Sequence, residues 1–247
     1  AKMGNPAGQS STRNSMAPMS DYTIEDGVVH LGPELSELER RLFRMFEERL
    51  IAKGFKYLSV PSSLKWSSLR KQGTVTVDHT LNVDEVHCLA GSAEQGILER
   101  YAGQNVEPML LYAENACFRT EDEYEGLRSC KEFRKLEQYA FVDPDEWERV
   151  FFELLSNALR FLEDLGIECR ARDCTKDDPG YHHYKVDIEV WTEQYGWLET
   201  HSCSYFADEQ IKRFSIGGDV HSISNTGLAS PRVLIPFIEQ GIGPDDL

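Results

Sequence analysis

The sequence predicts an α+β fold in one domain, and three observations predict it. Apolar residues recur at helical spacing over 33–50 and again over 147–165, the mark of two long amphipathic helices. Between them, residues 117–141 run apolar, then acidic around a glycine, then apolar again. That is the order of an antiparallel strand pair closed by an exposed loop. Later, Lys185, Asp187 and Glu189 alternate with Val186, Ile188 and Val190, the period-two pattern of a strand with one buried face. The 247 residues, 40% hydrophobic and 11% aromatic, suffice for one proper core.

Taken in order, residues 1–20 are small, polar and aperiodic, so they predict a disordered tail, part of it a cloning scar, with Met16 or Met19 as the native start. The folded domain is expected over 21–247. Leu35, Leu38, Leu42, Phe46 and Leu50 form the first stripe, with Pro33 suited to the opening turn and Gly54 to the stop. Phe55, Tyr57, Ser59 and Val60 then predict a strand ended by Pro61. Residues 62–87 are weakly patterned and predict a mobile connection. Ser92 precedes a helical pattern through Ile97, Leu98 and Tyr101, with Glu94 two residues on, so it reads as an N-cap with a nearby acid.

The strand pair carries Arg119 on one arm and Lys135 and Glu137 on the other. Arginine presents a planar fork that binds carboxylate or phosphate at two points, and Phe133 offers a flat apolar face on which a base could stack. A plain hairpin with a solvated acidic tip fits the same residues. Asp143, Pro144 and Glu146 predict an N-cap, a first-turn proline and a third-position acid for the second long helix, which Gly166 stops. The turn-rich 169–183 holds Cys169, Cys174, His182 and His183, but zinc favours tighter paired spacing, and no metal is predicted there. Glu199 and Ser202, three apart near a strand end, allow a carboxylate and a hydroxyl to share one magnesium ion in an ATP site. Residues 221–229 predict a loop, followed by Ser230 as N-cap, Pro231 in the first turn and a short helix through Val233, Leu234, Phe237 and Ile238 to Gly241.

Charge narrows the partners. Lys plus Arg number 26 against 42 Asp plus Glu, a formal net charge of −16, which repels a polyanion wherever the acids are not segregated from the contact surface. The six cysteines show no CxxC pair and predict free thiols. No apolar run approaches a membrane span and no signal-peptide order opens the chain, so a cytoplasmic protein is expected.

Several of these segments carry a resemblance. FRTE followed by EFRKLE resembles motif 2 of the class II aminoacyl-tRNA synthetases, with the catalytic domain of the seryl enzymes as the nearest likeness. Ser92, Ala93 and Glu94 are similar to the family's Thr-x-Glu loop, with serine for threonine. Glu199, Ser202, Cys203, Ser204, Asp208, Gln210 and Arg213 match the family's E-x-x-S-C-S-x-x-x-D-x-Q-x-x-R segment in register, and Arg232 falls on the arginine of motif 3 in G-L-A-x-x-R. Helix 33–50 with its strand and proline resembles motif 1, the dimer-building element.

The resemblance spans about 22–240 and implies an antiparallel sheet flanked by helices, a homodimer, and bent ATP held with magnesium between two arginines. In that reading Phe133 stacks adenine, Glu121 binds its amino group, and Glu199 and Ser202 hold the metal. Arg119 and Arg232 are catalytic through charge stabilisation, Arg232 on the γ-phosphate. Ser92, Glu94, Arg119, Glu137, Ser224 and Thr226 bind the amino acid, with Ser224 in place of a usual asparagine. Burying a carboxylate unpaired costs about 2–5 kcal/mol, so polar readers of this kind favour a small hydroxylated substrate, serine first.

Two departures bear on the acceptor. Nothing before Tyr22 could form the tRNA-gripping helical arm of seryl enzymes, and the motif 2 loop between Arg119 and Gly126 is short and acidic. The expectation is therefore activation of serine as an adenylate and transfer to a carrier-protein thiol or a small molecule. Zinc is not expected in the amino-acid pocket, because Ser224, Asn225 and Thr226 supply no thiolate. The alternatives are a seryl-tRNA ligase core working with a separate tRNA-binding partner, and a non-catalytic amino-acid sensor. The sensor reading predicts loss of the ATP-gripping residues, and Arg119, Glu199 and Arg232 are all present.

Overall fold

The structure is a computed structural model and describes residues 21–73, 77–178 and 180–247. The expectations for 1–20, and for Thr74–Thr76 within the 62–87 connection, lie outside the described residues. A short hairpin, β1 (Tyr22–Glu25) and β2 (Val28–Leu31), leads into α1 (Pro33–Ala52). Pro33 sits in the first turn of α1 as expected, and Leu35, Leu38, Leu42, Phe46 and Leu50 are all buried along one stripe. That regular spacing makes α1 legible from sequence, because the stripe must meet a sheet to leave water.

The sheet it meets has seven strands in the order β3-β6-β7-β11-β10-β9-β8, and every pairing is antiparallel except β3 with β6. Its centre is the hairpin β6 (Met109–Phe118) and β7 (Glu132–Val142), followed by α4 (Trp147–Asp164), β8 (Cys169–Asp173), β9 (Tyr184–Thr192), β10 (Gly196–Ala207) and β11 (His221–Ser230). This is the α+β architecture with a mainly antiparallel sheet flanked by helices. One sheet face carries Leu136, Ala140, Val186, Ile188, Cys203 and Leu228 into a common core with α1 and α4. The opposite face packs Tyr139 and Phe141 against α3 (Ala93–Tyr101) and α5 (Glu209–Arg213) and leaves the rest open as a cavity floor.

Several local expectations need correction. The strand over 55–60 shrinks to β3 (Lys56–Tyr57), an edge strand in parallel register with β6, because Phe55 and Val60 turn into two different cores. The connection over 62–87 is ordered into β4 (Ser63–Lys65), α2 (Trp66–Gln72) and β5 (His87–Leu89), packed around Leu64, Leu69, Cys88 and Ala90. That core is too small to leave a periodic trace. Helix α4 begins at Trp147, and Asp143 with Pro144 forms a turn before it, in which the Asp143 carboxylate accepts from the Asp145 N–H.

Residues 169–173, read as turn-rich, form edge strand β8. In β9 both faces are buried, with Lys185, Asp187 and Glu189 each at least 91% buried: Lys185 lines the cavity and pairs with Asp187, and Glu189 is covered by Arg170 and Arg172 of β8. Residues 221–229 are no loop but a central strand. Their serines and threonine lack the apolar alternation of a strand because one face of β11 lines the cavity. Ser230 ends that strand, and Pro231 caps the turn that leads through Arg232–Leu234 into α6 (Ile235–Gln240). All six cysteines are free thiols. Among the described residues no helix is long and apolar enough to cross a membrane.

Candidate active site

Two β-bulges decide which side chains reach the cavity. Along a regular strand, residues three apart point to opposite faces, so Glu199 and Ser202 would diverge. The β9–β10 register slips between Glu199 and His201, and the extra residue, Thr200, brings Glu199 and Ser202 to the same face. They lie within β10 and not near its end. The β10–β11 hairpin partner has its own slip against β7 between Thr226 and Leu228. Gly227 is the inserted residue, and its missing side chain lets the chain pass over Phe46 and Leu136.

The result is one cavity of about 660 Å³ on the open sheet face. All eleven side chains named from the sequence line it: Ser92, Glu94, Arg119, Glu121, Phe133, Glu137, Glu199, Ser202, Ser224, Thr226 and Arg232. They come from α3 and its cap, the β6–β7 hairpin, β10, β11 and the turn after β11.

One end is cationic. Arg119 lies over the Phe133 ring, its guanidinium carbon 5.4 Å from the centroid, and Arg119 Nε is buried with no hydrogen-bond partner among the described residues. A buried guanidinium donor of this kind bonds an ordered water or an anion, and a carboxylate or phosphate matches its fork. Arg232 donates from Nε to the Arg128 carbonyl at 2.8 Å and from Nη1 to the Glu199 carbonyl at 3.1 Å, which fixes its fork. Burial lowers the Arg232 pKa; Glu199 opposes that, and the neighbouring Arg119 and Arg128 add to it. Three guanidinium groups held this close make a pole for a polyanion such as a triphosphate. At its rim Glu121 accepts from Ser129 Oγ at 2.7 Å.

The Glu199 carboxyl is pushed up by burial and by the Asp187 charge, and held back by Lys185 and Arg232. Glu199 and Ser202 offer a carboxylate and a hydroxyl on one face, hard oxygen donors suited to magnesium. Among the described residues no group of three or more His, Cys, Asp or Glu side chains could hold a metal ion. A cation here would draw its remaining ligands from phosphate oxygens and water, which is how magnesium is usually held beside a nucleotide.

The other end is a carboxylate pair. Glu137 is 98% buried, accepts from Ser224 Oγ at 2.7 Å and Ser92 Oγ at 3.3 Å, and pairs with Lys135 Nζ at 2.8 Å. Glu94 is buried beside it and accepts on Oε1 from Gln72 Nε2 at 2.7 Å and Gln210 Nε2 at 2.9 Å. Burial pushes the Glu94 carboxyl up and the Glu137 charge adds to this, while hydrogen bonds from Ser224 and Gln72 and the charge of Lys135 oppose it. Ser92 caps α3 by accepting from the Glu94 N–H at 3.2 Å, so one side chain orders the helix start and the carboxylate together. Thr226 stands opposite Glu137 on β11. Two carboxyl groups beside one lysine give this end the acceptor oxygens that an ammonium group needs.

Phe133, Lys135 and Glu137 alternate on one face of β7, so the strand itself spaces a flat aromatic face from a buried carboxylate. Lys135 was visible in the sequence as a neighbour of Glu137 but had no role. Gln72, Arg128, Tyr181 and Lys185 also line the cavity and were not singled out. Gln72, Arg128 and Tyr181 sit in segments whose local pattern is weak; Lys185 lies in the β9 alternation, which predicts a strand with one buried face, whereas both faces are buried.

A family model described as tRNA synthetase class II core domain (G, H, P, S and T) matches residues 76–239. The serine–tRNA ligase of Deinococcus radiodurans is 34% identical over 227 residues, 82% of this chain and 53% of that protein. That of Synechococcus elongatus is 29% identical over 234 residues, 84% of this chain and 54% of its own length. The chain thus spans about half the length of the curated relatives it matches. Among solved structures, the seryl-tRNA synthetase of Pyrococcus horikoshii complexed with ATP aligns with a TM-score of 0.80 at 25% identity, over 86% of this chain and 53% of that one. The cytoplasmic serine–tRNA ligase of Naegleria fowleri in complex with AMP aligns with a TM-score of 0.79 at 22% identity, over 90% of this chain and 54% of that one.

Proposed function

We propose, for a chain that belongs to the class II tRNA synthetase core family, that it activates serine with ATP and passes the seryl group to tRNA, as the catalytic core of a seryl-tRNA ligase. The observation that carries this is the single cavity with a triple-arginine pole, a carboxylate pair matched to one ammonium, and an aromatic platform on the strand between them. Relatives named as serine–tRNA ligases, and a solved seryl-tRNA synthetase complexed with ATP at 25% identity, support the substrate assignment.

In this reading the serine carboxylate oxygen bonds to the α-phosphorus of ATP as the bond to the pyrophosphate oxygen breaks. No proton need move, so the protein supplies position and charge. Arg119, with its orphaned Nε, meets the serine carboxylate and the α-phosphate, and Arg232, locked by two carbonyls, grips the γ-phosphate. Phe133 stacks adenine and Glu121 accepts from its amino group. Glu94 and Glu137 receive the ammonium and the hydroxyl, with Ser92, Ser224 and Thr226 completing the polar wall. Magnesium bound at Glu199 and Ser202 would neutralise phosphate charge.

A second acceptor class, a carrier-protein thiol or small molecule, is favoured by one observation. Glu121, Asp122, Glu123 and Glu125 are all exposed on the loop at the cavity mouth, in a chain of net charge −16. An acidic mouth repels an RNA end. One domain over 21–247 and a homodimer through α1 and edge strand β3, where Ile51 and Tyr57 are 56% and 54% exposed, belong to the same proposal.

The test is amino-acid-dependent ATP–pyrophosphate exchange over a panel of amino acids, with no acceptor, followed by transfer of labelled serine to tRNA or to a thiol-bearing carrier. Exchange with serine alone is expected, and Arg119→Ala should abolish it. No exchange with any amino acid overturns the activation reading and leaves an amino-acid sensor. Activity retained in the variant overturns the role of the hairpin.

A further inference from the structure

The carboxylate of Glu94 is approached by two amide side chains whose orientations are not free. An isolated glutamine can turn its amide over, offering either NH2 or C=O to a neighbour. Here the choice is made at a distance. The Gly91 backbone N–H, which can only donate, bonds Gln95 Oε1 at 2.9 Å. Gln95 must then present its NH2 outward, and Gln95 Nε2 donates to Gln72 Oε1 at 3.4 Å. Gln72 is left with its own NH2 to give, and it gives it to Glu94 Oε1 at 2.7 Å. Gln72 and Gln95 are 98% and 100% buried, so water does not compete along this line. On the other side, Tyr139 Oη and Ser222 Oγ both donate to Gln210 Oε1 at 2.8 Å, which turns the Gln210 NH2 onto the same Glu94 oxygen.

We propose that Gln72, oriented by Gln95 and the Gly91 backbone N–H, is a positioning residue for amino-acid binding: it donates to the Glu94 carboxylate and holds it in one rotamer, aimed for the substrate ammonium. This rests on the reading of the cavity as an amino-acid-activating site. Gln72 belongs to α2, the segment to which the sequence assigned no chemistry, and it reaches the site across 22 residues.

The physical need is plain from the surroundings. Glu94 faces the Glu137 carboxylate and Lys135 on β7, the Tyr139 hydroxyl on the same strand, and Tyr181 from the chain before β9. Burial and Glu137 favour the protonated acid, whereas Gln72 donates to the ionised form and opposes them. A protonated Glu94 offers no charge to an ammonium. Loss of the Gln72 donor raises the pH below which Glu94 is neutral, so amino-acid affinity falls off from a higher pH.

The experiment measures serine-dependent ATP–pyrophosphate exchange between pH 5.5 and 8.5 in the wild-type chain, in Gln72→Met and in Gln72→Glu. Gln72→Met is expected to raise the KM for serine about tenfold at neutral pH, the effect of one lost hydrogen bond to a charged group. The KM for ATP should stay within about twofold, and the acid-side rise in serine KM should move to higher pH. Gln72→Glu, of the same shape, sets a second ionisable carboxyl against Glu94 and should move that rise further. A packing role alone would lower the melting temperature and change both KM values and kcat together without moving the pH profile. That outcome, or an unmoved profile in Gln72→Glu, overturns the proposal. A wild-type chain silent with every amino acid overturns the activation reading itself, and this inference falls with it.

Discussion

Replacing Gly227 by alanine tests whether the β11 bulge is what delivers Thr226 to the cavity. A Cβ at this position would lie 3.0 Å from Leu136 Cδ2 and 3.1 Å from Phe46 Cζ, and closer still to Phe46 Cε1. Ordinary carbon contacts begin near 3.4 Å, so something must move. Phe46 has little room to retreat: it is fully buried on α1 and meets Phe161 edge-to-face at 5.1 Å. Leu136 is 99% buried in the same core. Overpacking by one methyl costs about 1–3 kcal/mol, and two crowded, immobile neighbours place this site in the upper half of that range. For a chain of this size each kcal/mol lowers Tm by about 2–4 °C, so a fall of about 4–12 °C is expected in thermal unfolding. The cheapest relief moves β11 away from α1 and shifts Thr226 relative to Glu137, its partner across the strands. The KM for serine should therefore rise while the KM for ATP, set at the arginine end, holds. A Tm within about 1 °C of the parent protein would refute the packing argument, and an unchanged serine KM would refute the link from bulge to pocket.

Phe133→Ala removes the platform under Arg119 and should raise the KM for ATP about tenfold in the exchange assay, in keeping with the roughly 1–3 kcal/mol that base stacking contributes; an unchanged value would mean adenine binds elsewhere. His201 is fully buried, 2.7 Å from Thr200 Oγ1, and burial pushes its pKa down to about 4. The unfolded chain takes up this proton near pH 6.5 and the folded chain only near 4, so stability is present above 6.5 and lost as pH falls between them, at about 1.4 kcal/mol per pH unit. Denaturant unfolding at pH 7, 5.5 and 4 should show that slope in the parent protein and lose one proton's worth of it in His201→Gln; equal slopes would mean His201 is hydrated or charged in the fold.

Much of this molecule was written in local pattern. The α1 and α4 stripes, the Gly126 turn, the Ser92 cap and the hairpin of β6 and β7 depend on neighbours within a few residues, so spacing along the chain carries them. The eleven candidate residues were named for a different reason: they sit in motifs whose residue types and spacing match a family, and all of them line one cavity. What the sequence by itself could not carry was polarity turned inward. The serines of β11 and the charged face of β9 look like solvated surface in a one-dimensional reading, because polar residues normally face water. Only the assembled sheet shows that Ser224 and Thr226 of β11 and Lys185 of β9 line a cavity. The two bulges are decided the same way, by whether Thr200 and Gly227 fit between strands that are distant in sequence. Gln72 is the extreme case, since an amide in a patternless helix gains its role solely from where the fold places Glu94, Gln95 and a backbone N–H that cannot be reversed.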